Sequence, residues 1–354
     1  MRAAGTEPKP TARTRFIRLA AWLTNYGSNL ESPHQNELMN KRDGAFPTMT
    51  RLNVLVSLIT EDNDYQLEQA ASARAAAQTL GASVQIIYSG NDAVQQTQQI
   101  LSYIQNPSQR PDAILAEPVG TGMPQIAKAA VGAGIAWAII NSDVDYISQL
   151  RQHALVPVFT VVSDHEAIGK IQGQQIAAFL GEQGCVLYIE GPSVRDVAKV
   201  RTKGMLATKP PGINVKTLKG DWTQKSGYQA VKSWLALSTS RQLNVSMIAC
   251  QNDDMAIGAR RAFEELDTRE RDIWLRLPIT GCDGVPRSGQ ECVRQGRLAA
   301  TVVSPPLVGD AMQLLAAALK AGSQPAERTL VTPSSFPSLK ELQKPRATAA
   351  AQES

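Results

Sequence analysis

The chain is predicted to be an α/β protein made of two Rossmann-like, doubly wound parallel-sheet lobes. Three observations predict this. Short β-branched, apolar runs alternate with helical patterns of about 10 to 16 residues, as right-handed βαβ units require. About ten such runs fall into two successive sets. The length of 354 residues exceeds one comfortable core and suits two domains plus tails.

The elements follow in order. RLNVLVSLIT is a first strand that stops at Glu61-Asp62-Asn63-Asp64. Residues 65–80 have helix-forming Ala, Gln, Leu and Glu, closed by Gly81. Strand 83–88 and a Gln-rich helix over 92–105 come next, the helix ended by Asn106-Pro107. Strand 113–116 ends at Glu117-Pro118, and helix 124–133 leads to strand 135–140, which ends at Asn141-Ser142-Asp143. Strand 156–162 runs into Ser163-Asp164 and helix 167–180. The second set then repeats the rhythm, with strands at 185–189, 215–218, 245–249, 278–282 and 299–303. The helices of this set lie around 199–208 and at 225–238, 255–265, 288–294 and, after Pro305-Pro306, 307–320.

Composition narrows the function. Hydrophobic residues make up 43% and charged residues 19%, an ordinary globular balance. The net charge is +4, and much of the excess lies in the Arg-rich first 18 residues, so the body shows no basic face for nucleic acid. Cys185, Cys250, Cys282 and Cys292 form no CxxC or metal-spaced cluster, and the chain has three His, which argues against zinc or any other metal. The cysteines read as small buried hydrophobes, and unpaired thiols favour a reducing compartment. No apolar run reaches the roughly 18 residues of a membrane span. The stretch RTRFIRLAAWLTNYG has an Arg-rich start, but Arg18 breaks its apolar part and no A-x-A site follows. Residues 1–50 read as a disordered leader or a misassigned start, with Met49 just before the first strand.

Several chemistries lack their motifs. The first strand is followed by TEDNDYQ with no glycine, so the G-x-G-x-x-G dinucleotide turn is missing, and no phosphate loop occurs elsewhere. No nucleotide cofactor is expected. A G-x-S-x-G elbow is also missing. His153 and His165 read as surface or loop residues. No acid–base pair with an evident hydrolytic arrangement stands out, so the chain is not read as an enzyme.

Polar and aromatic groups remain at strand ends, where open α/β sheets bind ligands. They are Asn63 and Tyr65, Asn141, Arg201, Asp221 and Trp222 (in GDWT), Asn252 (in QNDD), Asp283 (in GCDG) and Ser304. The mixture suits a sugar. Carboxamides and carboxylates pair with hydroxyls, Arg adds a fork of donors, and aromatic faces cover ring C–H groups. Each residue also has a plainer reading. Asn252 and Asp254 cap the next helix, Asp283 sits in a turn, Trp222 packs, and Arg201 is a solvated helix residue. Asp253 and Asp254 read as helix-start acids.

The ordered motifs VLVSLIT, ILAEP, FTVVSDHEAIGKIQG, VRTKGM, GDWTQKSGYQAV, ACQNDDMAIGARRAF, ITGCDG and GRLAATVVSPPLVG resemble those of the type I periplasmic sugar-binding proteins. The likeness is greatest to the ribose-binding type and covers roughly residues 52–335. It implies two lobes joined by a hinge of three crossings, with a monosaccharide or polyol held in the cleft for an ABC permease. The expected lobes are 51–157 with 305–330, and 158–304 with 331–340, followed by a polar tail at 341–354. The resemblance makes Asn63, Tyr65 and Asn141 first-lobe contacts. It makes Arg201, Trp222, Asn252 and Asp283 second-lobe contacts, and Ser304 stands where a Gln is usual. Asn141 and Ser142 replace an Asp-Arg pair common in the family, and Gln66 replaces the second of two aromatics, so ribose itself is not the expected ligand. Trp222 favours a larger or differently oriented sugar. The resemblance implies a monomer in the cell envelope. The alternative is a cytosolic sugar sensor of the same fold, since no signal peptide is evident and residues 1–50 show no helix-turn-helix.

Overall fold

The computed structural model describes residues 51–343, save 121–122, 193–195, 239 and 241–242. The leader at 1–50 and residues 344–354 of the polar tail therefore lie outside the described residues. The chain forms two compact units. Among the described residues, the first comprises 51–59, Gln69–Val162 and Leu307–Thr329. The second comprises Thr60–Glu68, Ser163–Pro306 and 330–343.

The first sheet has strands β1 (Asn53–Leu58), β2 (Ser83–Tyr88), β3 (Ala113–Ala116), β4 (Ala136–Ile140) and β5 (Val158–Ser163). They stand in the order β2-β1-β3-β4-β5, and every one of these pairings is parallel. The edge strand β11 (Arg328–Val331) lies beside β5. Helices α1 (Asp64–Leu80), α2 (Ala93–Gln105), α3 (Pro124–Gly132) and the short α4 (Ile147–Arg151) connect the strands, and α11 (Val308–Ala321) precedes β11. Leu55, Ile114, Trp137 and Ile139 from the strands pack with Ile100, Ile104, Ile126 and Ala127 from α2 and α3.

The second sheet repeats the topology. Strands β6 (Gln183–Glu190), β7 (Gly212–Lys219), β8 (Met247–Cys250), β9 (Ile279–Asp283) and β10 (Ala300–Val303) stand in the order β7-β6-β8-β9-β10. These pairings are parallel, and β12 (Ser334–Phe336) adds an antiparallel edge on β10. Alternate residues of β6 and β8 serve opposite faces, as a pleated strand requires. Leu187, Ile189 and Ile248 join a core with Trp234 and Phe263, whereas Val186, Tyr188 and Met247 join one with Ile176 and Met205. Both faces of the sheet are covered at its centre, so β6 and β8 are largely buried and read as continuous apolar runs, whereas the edge strand β7 is mostly exposed.

The helices of this unit are α5 (His165–Leu180), α6 (Asp196–Thr208), α7 (Gln224–Leu235), α8 (Asp253–Glu264), α9 (Thr268–Leu275), α10 (Gly289–Arg294) and α12 (Leu339–Leu342). Helices α5 and α6 pack backbone to backbone. A Cβ on Gly169 would stand 2.0 Å from the Arg201 carbonyl oxygen, and one on Gly204 2.3 Å from that of Glu166. This contact seats Arg201 against α5.

Five elements lie outside the sequence expectation. The helices α4, α9 and α12 are short, and none of the residues of α9 or α12 is buried, so they carry little apolar period. The edge strands β11 and β12 span four and three residues, too few for a pattern. All four cysteines are free and buried, as expected. No helix among the described residues is long and apolar enough to cross a membrane.

Candidate functional site

The ACQNDD stretch joins β8 to α8. Asn252 holds an extended backbone (φ −149°, ψ 167°) and its side chain accepts from the Met255 amide, which makes it the N-cap of α8. Its Nδ2 donates to the Trp222 carbonyl at 2.9 Å. Asn63 Nδ2 donates to that same oxygen at 2.6 Å. Trp222 is the residue before the capping box of α7, formed by Thr223 and Ser226, and its φ is +74°. An L residue in that region stores strain that its neighbours must hold in place, and here two amide donors grip the carbonyl. The indole lies directly on Gly191, just past the end of β6. A Cβ there would come within 2.0 Å of the ring. The indole Nε1 is buried and has no hydrogen-bond partner among the described residues.

Arg201 lies beside this ring, its guanidinium carbon 5.6 Å from the centroid, and is 3% exposed. Nη1 donates to the Gln251 carbonyl at 2.6 Å and to Cys282 Sγ at 3.5 Å. Nε donates to His165 Nδ1 at 3.4 Å, and Asp283 Oδ1 stands 4.0 Å from Nη1. A buried guanidinium beside an indole and a carboxylate is a donor fork suited to an oxygen-rich ligand.

Asp283 closes β9 with φ +108°, and its carbonyl accepts from the Ser304 amide at 2.9 Å. The Ser304 hydroxyl bonds that of Ser163 at 2.8 Å. Tyr65 is buried and donates its hydroxyl to the Pro305 carbonyl at 3.2 Å. Asn63, Tyr65, Arg201, Trp222, Asn252, Asp283 and Ser304 thus all lie in the second unit. Asp221 is exposed and bonds the Thr223 hydroxyl at 2.6 Å.

Asn141 lies in the first unit, at the carboxyl end of β4, with φ +58°. Asn is among the residues that tolerate this left-handed region. Its Nδ2 donates to Glu117 Oε1 at 2.9 Å, and Glu117 is 2% exposed at the end of β3. Gln96 Nε2 donates to the Glu117 carbonyl at 2.8 Å and so ties α2 to this strand end. Three of the four non-glycine residues with positive φ, among those described, are predicted site residues: Asn141, Trp222 and Asp283. In each sheet the strand order reverses beside the first strand of its set, and ligands bind at the carboxyl ends there.

Residues 54–324 match the family described as the periplasmic binding protein domain. The chain belongs to that family. It is 26% identical over 286 residues to the galactofuranose-binding protein YtfQ of Escherichia coli (strain K12), covering 79% of this chain and 86% of that protein. It is 29% identical over 148 residues to the ribose import binding protein RbsB of Salmonella typhimurium, covering 41% and 46%. A crystal structure of a galactofuranose binding protein superposes with a TM-score of 0.69 at 24% identity, covering 82% of this chain and 97% of that one. The fold is therefore the two-lobed α/β fold of the periplasmic binding proteins, which bind solutes and are not enzymes.

The structure differs from the expectation at His165, at Arg201, and at Asn63 and Tyr65, the expected first-lobe contacts, which fall in the second unit. His165 is not a surface or loop residue. It opens α5, is 6% exposed and sits under Arg201, because the glycine contact draws α6 onto α5. His153 does lie in an exposed turn. Arg201 is not a solvated helix residue either, for the same reason.

Sequence reasoning passed over Gln251, Glu117 and the depth of Asp253 and Asp254. Gln251 is fully buried and wires the site from behind. It accepts from the Gly191 amide at 2.9 Å and donates to the Tyr188 hydroxyl, the Ala198 carbonyl and the Thr202 hydroxyl. The available signal was a carboxamide directly at the end of an apolar run. Asp254 accepts from the Asp64 amide and from Gln224 Nε2, both at 2.9 Å, and burial pushes its carboxyl up to about 6.

Asn252 therefore spends one oxygen bond and one amide proton on structure. Asn252→Ala is expected to lower stability by about 1–2 kcal/mol through the lost cap. Asn252→Ser keeps the cap and loses only the grip on Trp222. Its melting temperature is expected to stay near that of the wild type while the tryptophan emission shifts. Equal melting temperatures for the two variants would contradict the cap.

Proposed function

We propose that this chain is a solute-binding protein that captures a monosaccharide or polyol and delivers it to an ABC importer. One observation carries the reading. The second unit holds a guanidinium 3% exposed within α6, an indole beside it just before α7, and a carboxylate 4.0 Å away at the end of β9, where the fold places ligands. Arg201 supplies donors, Asp283 accepts from hydroxyls, and Trp222 offers an apolar face with a buried donor at its edge. Tyr65, Asn63, Asn252 and Ser304 complete the second-unit contacts, while Asn141 and Glu117 supply those of the first unit.

Relatives support the ligand class, since the chain is similar to proteins named for galactofuranose and ribose. The family, described as periplasmic binding proteins, supports a place in the cell envelope, and work as a monomer with a permease is part of the same proposal. Asn141 in place of a carboxylate and the single aromatic Tyr65 argue for a ligand other than ribose.

A thermal-shift panel of pentoses, hexoses in both ring forms, and polyols tests the reading. A binder at about 100 times its dissociation constant stabilises by about 2.7 kcal/mol, which raises the melting temperature by several degrees. At least one member of the panel is expected to do so, with ribose weaker than the best ligand. A flat response across the panel defeats the proposal.

A further inference from the structure

Asp253 is the first residue of α8, directly after the N-cap Asn252. Its surroundings are shaped around it. Oδ2 accepts from the Gly284 amide at 2.8 Å, and Oδ1 accepts from the Thr301 hydroxyl at 2.7 Å. A Cβ on Gly289 would stand 1.9 Å from Oδ2, and one on Gly281 2.1 Å from Oδ1. Two glycines thus make room for this carboxyl, which is 3% exposed. Gly284, the residue it holds, directly follows Asp283. Gly284 takes φ +59°, which a glycine adopts freely, whereas Asp283 at φ +108° is strained, and it faces Arg201 at 4.0 Å.

We propose that Asp253 is a positioning residue whose ionised carboxylate pins the Asp283–Gly284 turn, so that its protonation loosens the turn and weakens ligand binding. The proposal rests on the sugar-binding reading for its affinity arm only. An amide bond to a carboxylate is roughly twice as strong as one to a neutral acceptor. Burial pushes the Asp253 carboxyl up to about 7, with the Thr301 and Gly284 bonds opposing it. The titratable groups that act on it or feel it are Asp254 on the same helix, Asp64 on α1, Cys250 on β8, Cys282 on β9 and Cys292 on α10. No cation is among these described residues, so a proton is what neutralises the group.

The signs separate this role from a merely structural one. A carboxyl raised from 3.8 to about 7 binds more protons folded than unfolded across that interval. Stability from this group is therefore greatest below pH 4 and falls as pH rises to about 7. Affinity runs the other way, because the ionised form holds the turn. A residue that only supports the fold would move both together.

The test uses the full chain and Asp253→Asn, which keeps an acceptor for Gly284 and cannot ionise. In the 15N-labelled protein without ligand, the Gly284 and Asp283 amide resonances are expected to titrate with a midpoint near pH 7. In Asp253→Asn that titration is expected to vanish. With the best sugar of the panel, the wild type is expected to bind about fivefold tighter at pH 8.5 than at pH 5.5, the fold-change to which the difference of about 1 kcal/mol between a charged and a neutral hydrogen bond converts. The variant is expected to show the weaker value at both. If the amides do not titrate, or titrate equally in the variant, the proposal is overturned. If they titrate as expected but the two proteins share one pH profile of affinity, the link to binding is overturned. If no sugar binds the wild type, the sugar-binding reading fails and the amide titration still decides the role of Asp253.

Discussion

Arg201→Met is expected to abolish sugar binding and to lower the melting temperature by roughly 10 °C, the effect of about 3–5 kcal/mol in a domain of this size. The guanidinium is buried, and it satisfies the Gln251 carbonyl at 2.6 Å and faces the Asp283 carboxylate at 4.0 Å. Methionine fills the stem volume but takes the 2.6 Å donor from the Gln251 carbonyl and the cation from beside the Asp283 carboxylate. Removing one partner from a buried polar set costs more than the pair contributes, because the survivor stays desolvated. Arg201→Lys restores the charge without the planar fork, so part of the stability is expected to return and most of the affinity is not. Thermal melts and calorimetric titrations of the three proteins check this. A wild-type melt for Arg201→Met would mean that the guanidinium is not held as described.

Gly191→Ala is expected to cost about 1–3 kcal/mol by overpacking and at least tenfold in affinity. The added carbon would lie 2.0 Å from Cζ2 and 2.2 Å from Cη2 of Trp222. The backbone of Trp222 cannot easily yield, since Asn63 and Asn252 hold its carbonyl. The ring must therefore turn away from Gly191 and from Arg201. The stability loss is expected to shrink in the double variant with Trp222→Leu, where the smaller side chain clears the new carbon. Purely additive losses in that cycle would show that the strain lies elsewhere than at the ring.

Most of the fold was legible in the primary structure. Continuous apolar runs such as Trp137–Ile140 and Met247–Cys250 announce strands buried on both faces. The helices between them have clear stops, as with Asn106-Pro107 after α2. Where the pattern was thin, in the eight residues of α9 and the edge strands β11 and β12, no period could form. The candidate site was legible as a set of residue types at strand ends. Eight of its nine members lie in the second unit, and Asn141 lies with Glu117 in the first.

The roles of those residues were not legible. Asn252 looks like a ligand contact and a helix cap with equal justice until the 2.9 Å bonds to Met255 and Trp222 are seen. His165 looks like a loop histidine until a glycine in α5 brings α6 close enough for Arg201 to reach it. Asp253 looks like a helix-start acid until Gly281 and Gly289 are found to make space for it.

The order of residues by itself determined the two α/β lobes, their alternation and the polar strand ends, because local periodicity and turn chemistry act over a few residues at a time. Only the tertiary structure decided which polar groups are spent on the protein and which are left to bind. Hydrogen bonds such as that from Asn63 to the Trp222 carbonyl close over 159 residues of chain, and no local pattern encodes a partner at that distance.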